Sequence, residues 1–192
     1  SAWPSAACCT GAEMTGQSRY DVIVAGGGSA GVAAAVGAAQ AGARTLLIEA
    51  YGFLGGAATR SLVLAWCGFY PQRPAPRPAP VVGGVADALL GHLAALGVDV
   101  APYYSATGNW NIRLNPEATK IALDRTVAVP GLEVRLHTAV TGAVVGDGTI
   151  AALRLNDHRG VHEIAAAAFV DCSGEADLAF LAGAAPCPLH AG

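Results

Sequence analysis

Residues 20–31 read YDVIVAGGGSAG, a β-branched apolar run that stops abruptly at three glycines. Such a run predicts a buried parallel strand over 20–25 entering a tight turn. Residues 30–41 follow as an alanine-rich helix with Gly42 as its stop, and 45–48 form a second apolar run closed by Glu49. Residues 20–49 therefore predict one βαβ unit, the start of a parallel sheet.

Between that strand and helix, Gly26, Gly27, Gly28, Ser29, Ala30 and Gly31 place the pattern GxGxxG in the only context that gives it chemical meaning. Gly26 permits the turn, Gly28 lets a pyrophosphate approach the backbone, and Gly31 lets helix and strand pack closely. The helix N-terminus offers N–H groups and a partial positive charge to phosphates. Glu49 ends the second strand, where a carboxylate accepts hydrogen bonds from a ribose diol. The same charge repels a 2′-phosphate, and no Arg or Lys follows until Arg60, which disfavours NADP.

Composition narrows the classes further. With 53% hydrophobic and 13% charged residues the chain reads as globular, and 192 residues suffice for one sizeable core. A net charge of −3 with no basic cluster gives a nucleic-acid backbone no electrostatic footing. The longest apolar stretch, 30–39, is alanine-rich and too short to span a bilayer, so a soluble, cytoplasmic protein is expected. Cys8, Cys9, Cys67, Cys172 and Cys187 form no CxxC pair, which argues against a metal or iron–sulfur site and predicts reduced, mostly buried thiols. His92, His158 and His162 stand alone, and no metal is expected. Residues 1–19 are expected to be a tail, with Met14 the natural start and 1–13 an artificial addition.

Beyond the βαβ unit, 51–112 loosens into glycines, aromatics and the proline-rich loop 71–80, with one helix at 85–96 stopped by Gly97. A second helix is predicted over 115–127, opened by Pro116 and Glu117. Strands are predicted at 134–140, 143–145, 150–155, 161–165 and 168–170, with a GDG turn at 146–148.

Residues 22–56 resemble the extended dinucleotide motif of the glutathione-reductase-like FAD proteins: Ala35, Ala38 and Gly42 fall at its helix and cap positions, and Gly55 and Gly56 trail the acid. Within that superfamily, YGFLGGAAT at 51–59, PEATK from Pro116 and DCSGEADLAFLAG at 171–183 are similar to segments of one branch, the FAD-dependent oxidoreductases. The resemblance covers 20–185; Glu175 departs from it, standing where an Asp is common, and the proline-rich loop has no counterpart. It implies an α/β fold: a Rossmann-like parallel sheet, a three-stranded β-meander and an inserted helical and loop excursion. The FAD-binding domain would comprise 20–50 and 113–185, with 51–112 reaching toward flavin and substrate.

The resemblance also implies FAD as cofactor, held by Gly26, Gly28, Ser29, Ala30, Gly31, Glu49, Ala50, Gly55, Gly56, Ala57, Thr59, Arg60, Ser173, Gly174 and Asp177. By order along the chain, the strand around Val140 would lie against adenine, or Val140 is simply a core residue of the meander. Flavin-lining candidates in the excursion are Arg60, Trp66, Cys67, Tyr70, Gly83, Gly84, Tyr103, Tyr104 and Trp110. No catalytic residue stands out. The implied activity is a two-electron oxidation or reduction of a small organic substrate; the alternative is an electron-relaying flavin subunit of a multi-subunit reductase. Because the chain stops at Gly192, after a short tail 186–192, a second polypeptide or the cleaved C-terminal remainder is expected to complete the active site.

Overall fold

The computed structural model describes residues 20–71 and 78–185. The expectations for the N-terminal tail, for Met14, for Cys8, Cys9 and Cys187, for most of the proline-rich loop and for 186–192 lie outside them.

Strand β1 (Tyr20–Ala25), helix α1 (Ser29–Gln40) and strand β2 (Thr45–Ile48) form the expected βαβ unit, with β1 and β2 parallel. Gly42 ends α1 with φ +91°, and the N–H of Ala43 donates to the Ala38 carbonyl at 3.1 Å, so the left-handed residue closes the last turn. Two further helices are capped by side chains. In α2 (Val85–Ala95) the Asp87 carboxylate accepts from the N–H of Gly84; in α3 (Pro116–Thr126) the Asn115 Oδ1 accepts from the N–H of Ala118.

The main sheet runs β6-β2-β1-β9-β8-β7, where β6 is Leu132–Arg135, β7 Ala139–Gly146, β8 Thr149–Asp157 and β9 Gly160–Asp171. Strands β6, β2, β1 and β9 are parallel, while β7, β8 and β9 form the antiparallel meander. Asp147 and Gly148, both at positive φ, make the two-residue turn between β7 and β8.

Two of the predicted strands, 161–165 and 168–170, are one strand, because β9 serves two neighbours in succession. Its first half pairs with β8 and its second half with β1, in a register that brings Asp171 level with Ala25. The predicted strand 134–140 instead breaks in two. His137 takes φ +51°, its N–H donates to the Tyr51 carbonyl at 3.1 Å, and that of Thr138 donates to the Glu49 carbonyl at 3.0 Å. Backbone bonding to the segment after β2 thus bends a chain whose apolar pattern runs on without interruption.

The alternation along β1 and β2 sends side chains to two cores. Val24 and Leu47 pack under α1, α2 and α3 with Val36, Leu93 and Leu123; Ile23, Leu46 and Ile48 pack against Leu153 and Leu155 of the meander. The excursion carries, besides α2, a small antiparallel sheet of order β3-β5-β4, with β3 Ala65–Cys67, β4 Tyr103–Tyr104 and β5 Trp110–Arg113. Cys67 is exposed, not a buried thiol, because it ends an edge strand; Cys172 is half-buried. Among the described residues no helix is long and apolar enough to cross a membrane. Nor, among them, does any group of three or more His, Cys, Asp or Glu stand placed to hold a metal ion.

Candidate functional site

Parallel sheets leave a crevice beyond the carboxyl ends of their strands, and here the ends of β1 and β2 open into a cleft of about 700 Å3. The glycine turn forms its floor. Gly26 has φ +103°, and a Cβ added there would lie 2.3 Å from the Cys172 carbonyl oxygen. A Cβ on Gly31 would come within 1.7 Å of the Gly26 oxygen, so the start of α1 abuts the end of β1 only because that carbon is missing. On the cleft side Gly28 faces Gly56 with no side chain between them.

Helix α1 begins without a side-chain cap and without an acidic residue in its first turn, where α2 carries Asp87 and α3 carries Glu117. The N–H groups at its start and the positive end of its dipole therefore point at the cleft, an arrangement suited to phosphate oxygens. Beside the glycine turn, lining the same cleft, stands Glu49, 8% exposed. Its Oε2 accepts from the N–H of Gly27 at 2.7 Å and its Oε1 from that of Tyr51 at 2.8 Å. The acid expected for a ribose is thus also the clasp that joins the glycine turn to the chain after β2, and each oxygen keeps a lone pair for a ligand hydroxyl.

The remaining walls come from three segments. After Glu49 the chain contributes Ala50, Tyr51 and Phe53, then Gly56, Ala57, Arg60 and Ser61 around a short 3-10 turn (Gly56–Ala58). The start of β7 contributes Thr138, Ala139 and Val140. The loop after β9 contributes Cys172, Ser173, Gly174, Glu175 and Asp177, leading into the short helix α4 (Asp177–Leu181).

That last loop is ordered by Asp171. Its Oδ1 accepts from the hydroxyl and N–H of Ser173 at 2.7 and 3.0 Å, and its Oδ2 from the N–H of Ala179 at 2.9 Å. Burial pushes the Asp171 carboxyl upward, but these donors outweigh it and hold the group below the usual carboxylate value. Burial, seconded by the Asp171 charge, pushes the neighbouring Cys172 thiol up.

Of the residues expected around a cofactor, Gly31, Gly55 and Thr59 stand behind the lining. Gly55 donates its N–H to the Gly27 carbonyl at 2.8 Å and so braces the second loop against the first, while the Thr59 hydroxyl donates to the Leu54 carbonyl at 2.7 Å and closes the second loop on itself. All the others line the cleft. Of the excursion candidates only Arg60 reaches it; Trp66 and Cys67 border a separate recess of about 250 Å3 between α1, α2 and α3, and Tyr103 lines another hollow. Tyr70, Tyr104 and Trp110 form an aromatic cluster of their own. Sequence reasoning missed Tyr51, Phe53, Ser61, Thr138, Cys172 and Glu175 as lining. Four of them lie inside the YGFLGG and DCSGEAD segments, which was the available signal; Ser61 and Thr138 carried none.

Backbone donors free of side chains and a buried acid lining the same cleft fit a bound adenine dinucleotide. No curated protein matches the chain. The family model for FAD dependent oxidoreductase matches residues 21–187. In structure the chain is similar to THI4 of Thermovibrio ammonificans, at 17% identity and a TM-score of 0.56 over 84% of this chain and 60% of that one. It is similar too to glycine oxidase of Geobacillus kaustophilus, at 16% identity and a TM-score of 0.54 over 87% and 59%. The open conformation of a flavocytochrome c3 fumarate reductase matches at 20% identity and a TM-score of 0.55 over 79% and 33%. At such identities the likeness establishes the fold, and the chain spans at most 60% of these proteins' lengths.

Proposed function

Because the chain belongs to the FAD dependent oxidoreductase family, whose cofactor is FAD, we propose that its cleft holds the adenosine diphosphate part of FAD for a two-electron oxidation or reduction of a small organic substrate. The observation that carries this reading is that the uncapped start of α1 and the buried carboxylate of Glu49 line one cleft of about 700 Å3.

In this reading Gly28, Ser29 and Ala30 present backbone donors to the pyrophosphate, Gly26, whose own N–H donates to the Ile48 carbonyl at 2.8 Å, turns the chain beneath it, and Gly56 lets the second loop pass close by without a side chain. Glu49 accepts from the adenosine ribose hydroxyls. The main chain at Val140 lies against the adenine. Ser173, Gly174 and Asp177, held in place by Asp171, border the far side. Bound FAD supplies the redox chemistry, accepting or returning two electrons as a hydride. The protein's part is to orient it and to exclude water.

The covering of the reacting end is assigned to a second polypeptide or to a cleaved remainder of this one. Leu62, Val63 and Leu64, directly after Ser61 of the cleft, are 58%, 52% and 40% exposed, and such an apolar run suits a covered surface. The test is release of the bound cofactor by heat and its identification by mass, with denaturing electrophoresis of the active preparation. FAD and a second polypeptide species are expected; FMN, or no flavin, would overturn the cofactor site, and turnover by this chain alone would overturn the partner.

A further inference from the structure

Within the cleft, charge is distributed in a way that the binding of a dianionic pyrophosphate must overcome. Its lining carries three carboxylates, those of Glu49, Glu175 and Asp177, against a single cation, Arg60. Arg60 enters none of the ion pairs among the described residues. Its guanidinium instead lies over the ring of Tyr51, 4.0 Å from the centroid. Both backbones are pinned. The N–H of Arg60 donates to the Gly56 carbonyl at 2.8 Å, the N–H of Tyr51 donates to the Glu49 carboxylate at 2.8 Å, and the Tyr51 carbonyl accepts from His137 at 3.1 Å.

A long arginine side chain left to itself samples many rotamers, and holding it in one costs entropy at the moment of binding. An aromatic face that holds the cation in advance removes much of that cost, because the guanidinium stacks on the ring without giving up its in-plane N–H donors. Resting on the proposed FAD site, we infer that Tyr51 is a positioning residue: it stations Arg60 beside the glycine loop, where the guanidinium meets the cofactor's pyrophosphate and offsets the carboxylates around it. Tyr51 then acts on the cofactor through Arg60, and its hydroxyl is dispensable.

The test is titration of the FAD-free protein with FAD, followed by flavin fluorescence at low and high salt, for the parent, Arg60→Gln, Tyr51→Leu, Tyr51→Phe and the Tyr51→Leu/Arg60→Gln double variant. Arg60→Gln is expected to weaken FAD binding about tenfold and to flatten its salt dependence. Tyr51→Leu should weaken it about threefold, while Tyr51→Phe, which keeps the ring face, stays within about twofold of the parent. In the Arg60→Gln background Tyr51→Leu should add nothing. A Tyr51→Leu loss of equal size with and without Arg60, a Tyr51→Phe loss as large as that of Tyr51→Leu, or an unchanged salt slope in Arg60→Gln overturns the pairing. A parent protein that binds no FAD overturns the proposed function itself, and this inference with it.

Discussion

Replacing Glu49 by alanine is expected to loosen the protein even when no cofactor is bound. The carboxylate is 8% exposed and accepts two backbone hydrogen bonds, at 2.7 Å from Gly27 and 2.8 Å from Tyr51. A hydrogen bond to a charged group contributes about 1.5 to 3 kcal/mol net. Water entering from the cleft can partly satisfy the two freed N–H groups, so the low end applies and the loss is about 3 kcal/mol. For a chain of this size that corresponds to a fall of about 6 to 12 °C in melting temperature. Glutamine keeps one acceptor oxygen but sets an amide N–H against a backbone N–H, and should recover roughly half of the loss. Urea unfolding of the FAD-free parent and both variants measures this directly. An alanine variant within about 1 kcal/mol of the parent would refute the clasp. The role at the ribose is a separate quantity: FAD affinity should fall by an additional factor worth about 2 to 3 kcal/mol in the alanine variant.

Three other outcomes follow from the same geometry. Gly31→Ala places a methyl 1.7 Å from the Gly26 oxygen, so the helix start and the strand end must separate; a destabilisation of at least about 3 kcal/mol, or failure to accumulate as soluble protein, is expected, and an unchanged unfolding midpoint would count against the packing described. Asp171 has its folded pKa depressed, so it contributes stability above its unfolded value of about 3.9 and loses that contribution as pH falls through the lower folded value. The stability gap between Asp171→Asn and the parent should accordingly be widest near neutrality and close in acid, and a gap independent of pH would exclude the carboxylate as its source. Exposed Cys67 should be alkylated faster than half-buried Cys172, whose thiol is pushed up by burial and then by Asp171, as peptide mapping by mass would register; the reverse order would contradict the surface assigned to β3.

The βαβ unit was legible because everything that specifies it is local. Residues 20–25 alternate between two buried faces, the glycines meet a helix N-terminus within a few positions, and Gly42 ends the helix through its own φ of +91°. Strand propensity, turn chemistry and capping all act over a handful of neighbours, so a single sequence exposes them. The same holds for α2 and α3, whose capping residues Asp87 and Asn115 lie within three positions of the groups they bond. The family resemblance carried the later segments, which local pattern would have left as a meander and a loop.

What only the tertiary structure decided are the partnerships between distant segments. That Glu49 clasps Gly27 as well as facing the cleft, that His137 and Thr138 break an apolar run to bond the chain at Tyr51 and Glu49, and that β9 changes partner midway to bring Asp171 beside Ala25 are contacts across 22 to 146 positions. None leaves a periodic trace, because a backbone N–H or carbonyl looks the same in every residue and its partner is chosen by the packing of the whole sheet. Arg60 on Tyr51 is of the same kind. Composition shows an arginine and a tyrosine near a glycine pair, but only the folded turn brings the cation onto the ring, since side-chain direction depends on backbone angles that the neighbouring loop imposes.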